Sequence, residues 1–221
     1  RPDVTASLAT FLQGHTHLDA LYILGDLFEA WIGDDDDAPL AASVTATLRA
    51  FSDAGPALYL MRGNRDFMLG QAFCRRAGAT LLDDPTLIEL YGEPTLLMHG
   101  DSLCTADTEY QAFRTQARDP AWQADMLRRP LQERRALAAD LRRISRDAAG
   151  NKAEDIVDVS LAEVARVMAE HAVKQLIHGH THRPARHKES GGVRWVLGDW
   201  GESAWAASAS GAGIELFNIV K

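Results

Sequence analysis

Four short apolar runs end in the same kind of punctuation. Leu21-Tyr22-Ile23-Leu24 leads into Gly25-Asp26, and Ala57-Leu58-Tyr59-Leu60-Met61 leads, one residue on, into Gly63-Asn64-Arg65-Asp66. Thr95-Leu96-Leu97-Met98 ends at His99-Gly100-Asp101, and Gln175-Leu176-Ile177 ends at His178-Gly179-His180-Thr181-His182. Each run is continuous rather than alternating and is bounded by glycine and polar residues, which predicts a strand buried on both faces. Between the first two runs, residues 38–51 read as a helix. Before the fourth, Val157, Leu161, Val164 and Met168 recur at i, i+4, i+7 and i+11, one face of an amphipathic helix. Strands alternating with helices predict an α/β layered fold with mostly parallel pairing around the first strands. Residues 193–197 and 214–220 read as two more strands, and the small-residue-rich stretch between them as a loop or hairpin.

Composition narrows the class without changing this picture. With 46% hydrophobic and 24% charged residues, the 221-residue chain has the balance of a globular domain, which excludes collagen-like and disordered readings. No apolar run approaches the ~18 residues of a membrane-spanning helix. Cys74 and Cys104 form neither a CxxC pair nor a disulfide framework, as expected in a reducing cytosol. A net charge of -8 argues against nucleic acid as a partner. The charge is uneven, however. Residues 109–146 hold nine arginines against five acids, a local +4, with Tyr110, Phe113, Trp122, Met126, Leu127, Leu131, Leu137 and Leu141 interleaved at helical spacing and breaks at Pro120 and Pro130. Such a stretch is either a solvated helical pair with one face on the core or a basic amphipathic cap that touches an anionic ligand or membrane surface.

The candidate chemistry sits at the strand ends, where ligands collect in open α/β sheets. A lone histidine after a strand is usually a satisfied turn or core residue. Asp26, Asn64, His99, His180 and His182 together, each beside a glycine or inside a Gly-His-x-His turn, exceed what turn chemistry needs. The donors are oxygen and nitrogen with no thiolate, which favours manganese, iron, zinc or a similar divalent ion. A carboxylate such as Asp26 can bridge two ions, and two ions ~3.5–4 Å apart are the usual device for in-line displacement at phosphorus.

Gly25-Asp26, Gly63-Asn64-x-Asp66, His99 and Gly179-His180-Thr181-His182, in this order, resemble the calcineurin-like metallophosphoesterases. Leu18 onward (LDALYILGDLFEAWIGDDD), Gly63 onward (GNRDFML), Met98 onward (MHGDSLCT) and Ile177 onward (IHGHTHRP) are similar, over nearly the whole chain, to the subgroup that acts on UDP-2,3-diacylglucosamine in lipid A biosynthesis. The general family has histidine after Gly-Asn, whereas the subgroup has arginine, here Arg65. The resemblance implies a single layered metallophosphoesterase domain over 1–221 with an inserted helical cap at 106–150 whose apolar faces hold two acyl chains. It implies two divalent ions, manganese being expected, and water attack at the uridine-side phosphorus to give UMP and 2,3-diacylglucosamine 1-phosphate. Asp26, Asn64, Arg65 and His99 would form the catalytic set. Asp26 would bridge the ions, Asn64, His99 and His180 would complete one shell, and His182 would bind the other ion. Asn64, Arg65, Asp107, Ser145, Lys152 and His180 would contact substrate. Ala149 stands where a polar contact is expected, with Asn151 close by.

The family opens with a strand ending in Asp-x-His, which supplies two further ligands. This chain begins at Arg1-Pro2-Asp3, inside an expected first helix, so a preceding stretch carrying that strand is expected in the natural chain. His15 and His17, in a turn between helix and strand, are not read as its replacement. The four aspartates at 34–37 read as a solvated loop near the site, and His171 and His187 as ordinary surface or core residues. His178 is expected to pack or to support a ligand, Trp31 to wall the pocket, and Trp195, Trp200 and Trp205 to pack. The protein is expected to be a monomer, bound peripherally to the cytoplasmic face of the inner membrane through its basic cap. Two other readings are a general metallophosphoesterase for soluble nucleotides or phosphoproteins, against which Arg65 and the cap argue, and a non-catalytic member of the fold.

Overall fold

In the computed structural model, residues 1–149, 156–201 and 203–219 are described. The first elements are α1 (Pro2–Gly14), β1 (Ala20–Ile23), α2 (Pro39–Asp53), β2 (Ala57–Met61), α3 (Gln71–Ala77) and β3 (Ala79–Leu82). β4 (Thr86–Leu90) and β5 (Glu93–Met98) follow, then the helices α4 (Thr108–Ala117), α5 (Pro120–Arg128), α6 (Leu131–Ala149) and α7 (Leu161–Glu170). The chain continues through β6 (Gln175–His178), β7 (Ala185–Glu189), β8 (Gly192–Val196), β9 (Ala204–Ser210) and β10 (Gly213–Ile219). These elements group into two compact units, residues 1–83 with 120–140, and residues 84–119 with 141–221.

The first unit is built on a parallel sheet in the order β1-β2-β3, with Ala20 opposite Ala57 and Leu58 opposite Ala79. α2 starts at Pro39, where the fixed φ suits a first helical turn, and buries Ala41, Val44, Leu48 and Phe51 along one stripe. Each large side chain buried there contributes about 1.5–3 kcal/mol. α3 buries Phe73, Cys74 and Ala77 and ends at Gly78, whose φ of 69° is the left-handed cap that glycine adopts without strain.

The second unit carries a five-stranded sheet, β4-β5-β6-β8-β7, and a two-stranded antiparallel ribbon of β9 and β10. Its core joins Leu96, Met98 and Leu176 of β5 and β6 to Val164, Val167 and Met168 of α7. α7 is capped by Ser160, whose hydroxyl accepts the Glu163 N–H at 3.4 Å in a Ser-x-x-Glu start.

Several elements differ from the sequence reading. Val157 precedes α7 rather than lying on it. Of the two readings of the stretch before the last strand, loop or hairpin, the hairpin holds, with β9 as its first strand. The end of the last predicted strand, Val220, lies outside the described residues. β3, β4 and β7 had no clear signal; β7 reads Ala-Arg-His-Lys-Glu because it is an edge strand, where charge blunts unwanted pairing. The basic stretch breaks into helices at both prolines, as expected. By packing, α5 and residues 131–140 belong with the first unit, and α4 and residues 141–149 with the second.

Candidate active site

In the first unit, two turns after parallel strands interlock. β1 passes through Gly25 (φ 94°) to Asp26, which holds a left-handed φ of 55° without being glycine. Strain of that kind costs about 1–3 kcal/mol and persists only where the surroundings impose it. A Cβ on Gly63 would lie 2.1 Å from Asp26 Oδ1, so the second turn approaches closely only because residue 63 has no side chain. The Arg65 backbone N–H donates to Asp26 Oδ1 at 2.9 Å, and Arg65 Nε lies 3.3 Å from Asp26 Oδ2. Asn64 therefore sits between two residues that touch Asp26. Arg65 also reaches Glu29 Oε1 at 3.0 Å.

Both turns hang on Asp66, which is fully buried. Its Oδ1 accepts from Gly63 N–H (2.6 Å) and Asp26 N–H (3.2 Å), and its Oδ2 from Phe28 N–H (3.4 Å). Sequence reasoning gave Asp66 no role beyond motif membership; the signal available was a carboxylate immediately before the apolar Phe67.

In the second unit, β5 and β6 pair in parallel with Met98 opposite His178, which brings their trailing turns side by side. Gly179 N–H donates to His99 O at 2.9 Å, and the His99 and His180 rings meet edge to face, centroids 5.1 Å apart. His180 and His182 both have left-handed φ values, 66° and 54°. His99 is buried, His180 half-buried and His182 exposed. His178 is fully buried, its Nδ1 2.9 Å from Gly179 O and its Nε2 3.3 Å from an Arg194 nitrogen; burial pushes its pKa down to about 3. It packs as expected.

Beside the histidine pair lies a buried charged cluster that the sequence reading passed over. Asp101 Oδ2 accepts the Tyr110 hydroxyl at 2.5 Å and lies 3.0 Å from Arg114 Nε and 3.6 Å from an Arg118 nitrogen. Burial pushes the Asp101 carboxyl up, but His99, Arg114, Arg118 and the Tyr110 hydrogen bond outweigh it and hold the group well below the usual carboxylate range. Asp84, whose Oδ1 accepts from His99 N–H at 3.3 Å, goes the opposite way, raised by burial and by the charge of Asp101. The signal was present: Tyr110, Arg114 and Arg118 are spaced by four and share one helical face.

The remaining predicted residues fall as follows. Asp107 is the N-cap of α4, accepting the Tyr110 N–H at 3.1 Å. Ser145 is exposed on α6. Lys152 and Asn151 lie outside the described residues. Trp31 is buried against Phe28 and Phe73 in the first unit, with its indole N–H on Asp34 Oδ1 at 3.1 Å, so it packs rather than forming an open wall. His15 places Nδ1 2.7 Å from Phe11 O at the end of α1. His171 does the same with Val167 O at 2.9 Å.

The aspartates at 34–37 are not merely solvated. Asp34 also accepts from Gly70 N–H (2.9 Å) and Phe73 N–H (2.8 Å). Asp35 takes a bidentate grip from Arg134 at 2.8 and 2.5 Å, and Arg135 pairs with Asp36 and Asp37. Arg134 is 5% exposed and also donates to Ile32 O and Arg129 O at 2.6 and 2.9 Å. These contacts bind the start of α6 to the loop after β1.

In each unit the donor chemistry suits a divalent cation of borderline hardness: a carboxylate and an amide in the first, imidazoles in the second. Among the described residues, no group of three or more His, Cys, Asp or Glu side chains is gathered closely enough to hold an ion. What does fit is the presentation. Asp26, His180 and His182 are held in uncommon backbone conformations, and the His99 and His180 rings already converge.

The calcineurin-like phosphoesterase family profile matches residues 3–184. The chain belongs to that family. A relative from Cellvibrio japonicus, named UDP-2,3-diacylglucosamine hydrolase, is 54% identical over 223 residues, covering 99% of this chain and 93% of its own length. One of the same name from Marinobacter nauticus is 54% identical over 215 residues, covering 95% and 88%. Among solved structures, an archaeal phosphodiesterase superposes with a TM-score of 0.51 at 9% identity, over 99% of this chain and 92% of its own, a likeness of fold alone.

Proposed function

We propose that this chain hydrolyses the diphosphate bond of UDP-2,3-diacylglucosamine, with water attacking the uridine-side phosphorus and UMP and 2,3-diacylglucosamine 1-phosphate as products. The observation that carries the reading is the pair of interlocked strand-end turns in each unit, Asp26 with Gly63-Asn64-Arg65 and His99 with Gly179-His180, in a chain 54% identical to relatives of that name. Asp26, Asn64, His99, His180 and His182 are the side chains that would hold two divalent ions, manganese in this reading. When bound, such ions lower the pKa of water and neutralise charge on phosphoryl oxygens.

Arg65 is the residue that distinguishes this chain chemically. The leaving group is a phosphate ester, a weak base that needs little help from a general acid. A permanently charged planar fork can instead hold diphosphate oxygens bidentately. The guanidinium lies near Asp26 and on Glu29, whose side chain is 62% exposed and easily exchanged for a phosphate oxygen. Asp107, Ser145, Lys152 and His180 complete the proposed substrate contacts.

The amphipathic helices α5 and α6 are the proposed seat of the acyl chains. Trp122 lies on Phe67, centroids 6.1 Å apart, while Leu127 and Ile144 stay 43% and 55% exposed. No helix among the described residues is long and apolar enough to cross a membrane. We propose that the protein is a monomer bound peripherally to the cytoplasmic face of the inner membrane, its basic side chains meeting anionic headgroups. The test is UMP release from the diacylated UDP-sugar by the full chain with manganese, beside the same sugar without acyl chains and soluble nucleotides. Equal turnover of all substrates overturns the assignment, and an Arg65→Lys variant with unchanged turnover overturns the role of Arg65.

A further inference from the structure

The charged cluster around Asp101 is a poor device for stability alone. Buried charges are costly to desolvate, and a stable core of the same volume can be built from apolar groups. The Asp101 side chain is fully buried and that of Asp84 is 6% exposed, yet Asp101 Oδ1 and Asp84 Oδ2 are buried without a hydrogen-bond partner. What the cluster does achieve is to hold one aromatic ring at three points. The Tyr110 N–H is capped by Asp107, its hydroxyl is clamped on Asp101, and its ring lies over His180 with centroids 6.0 Å apart and planes 27° from parallel.

The contacts close a circuit. His180 meets His99, the His99 N–H is held by Asp84, and Arg114 lies 3.6 Å from Asp84 Oδ2 as well as 3.0 Å from Asp101 Oδ2. Gln111 donates to Asp101 O (2.8 Å) and Cys104 O (3.1 Å), so the loop that carries Asp101 is tied to the same helix. The His180 ring, carried on a left-handed backbone, packs against both the His99 and the Tyr110 rings. A ring that leans on Tyr110 is fixed by it.

We propose that Tyr110, clamped by Asp101, is a positioning residue that sets the rings of His180 and His99 for divalent-cation binding. The inference rests on the metallophosphoesterase reading above. It differs from a packing role because the hydroxyl contributes nothing to packing, yet its hydrogen bond decides the angle at which the ring meets His180.

The experiment titrates manganese into the full chain and its Tyr110→Phe and Tyr110→Leu variants by calorimetry, with urea unfolding to verify that each is folded. Partners that orient metal ligands typically account for 10–100-fold in affinity, so Tyr110→Phe, which keeps the ring and loses the clamp, is expected to bind manganese about tenfold more weakly. Tyr110→Leu loses the ring as well and binds more weakly still. Saturating manganese returns kcat of Tyr110→Phe towards the parent value, with KM for the diacylated UDP-sugar unchanged. Variants that unfold more easily but bind manganese as the parent does overturn the proposal and leave Tyr110 a structural residue. A parent chain that takes up no manganese overturns the reading of these residues as manganese ligands, and the role of Tyr110 with it.

Discussion

Asp66 offers the most decisive test of how the two turns of the first unit are held. Its carboxylate is fully buried and collects the backbone N–H groups of Gly63, Asp26 and Phe28 at 2.6, 3.2 and 3.4 Å. Hydrogen bonds to a charged group are each worth about 1.5–3 kcal/mol, and donors left buried without a partner bear the desolvation cost. The three are not additive, and the longest contributes least. Asp66→Ala should therefore lose about 3–5 kcal/mol of unfolding free energy, a large share of the 5–15 kcal/mol typical of a domain. Asp66→Asn keeps the shape and one acceptor oxygen but turns an amide N–H₂ toward backbone donors, so about 2–3 kcal/mol should be lost. Equilibrium urea unfolding measures both, with an unchanged slope expected. A loss below about 1 kcal/mol for Asp66→Ala would show that the turns stand without their common acceptor, and the account of how Asp26 is held in its left-handed conformation would be wrong.

Other consequences follow from the same contacts. His178 is held neutral in the folded chain, its pKa near 3, while the unfolded chain protonates it near the ordinary 6.5. Its contribution is thus complete above about pH 6.5 and is lost as pH falls toward 3, at up to about 1.4 kcal/mol per pH unit. Urea midpoints measured across that range should show this slope, and His178→Gln should flatten it. Arg134→Met strands Ile32 O and Arg129 O while the largely exposed Asp35 resolvates, so a loss of about 2–3 kcal/mol is expected by urea unfolding. Gly33→Ala should cost about 1–3 kcal/mol in the same measurement, because φ is 132° and the new Cβ would lie 2.5 Å from an Arg134 nitrogen.

The strand-end chemistry was legible because it is local. A run such as Leu-Leu-Met followed by His-Gly-Asp states both the buried strand and the turn that ends it, and Gly-His-x-His does so again. The alternation of strands and helices also predicted parallel pairing around the first strands, as β1 and β2 show. The edge strand β7 escaped notice because an edge is under little pressure to be apolar, and its charges obey a different need.

What the chain's order of residues determined by itself was the alphabet of the site: which donors exist, that none is a thiolate, and that each sits beside a glycine or inside a Gly-His-x-His turn. What only the tertiary structure decided was pairing at long range. Asp35 and Arg134 stand 99 residues apart, and no periodicity announces that the four aspartates read as a solvated loop would clasp α6. Nor does spacing along the chain say that Asp66 would hold Asp26, 40 residues away, or that the Tyr110 face of α4 would turn toward Asp101 and His180. Local pattern records what a residue needs from solvent or core, whereas the partner of a buried charge is fixed only when packing brings two distant segments into the same dry place.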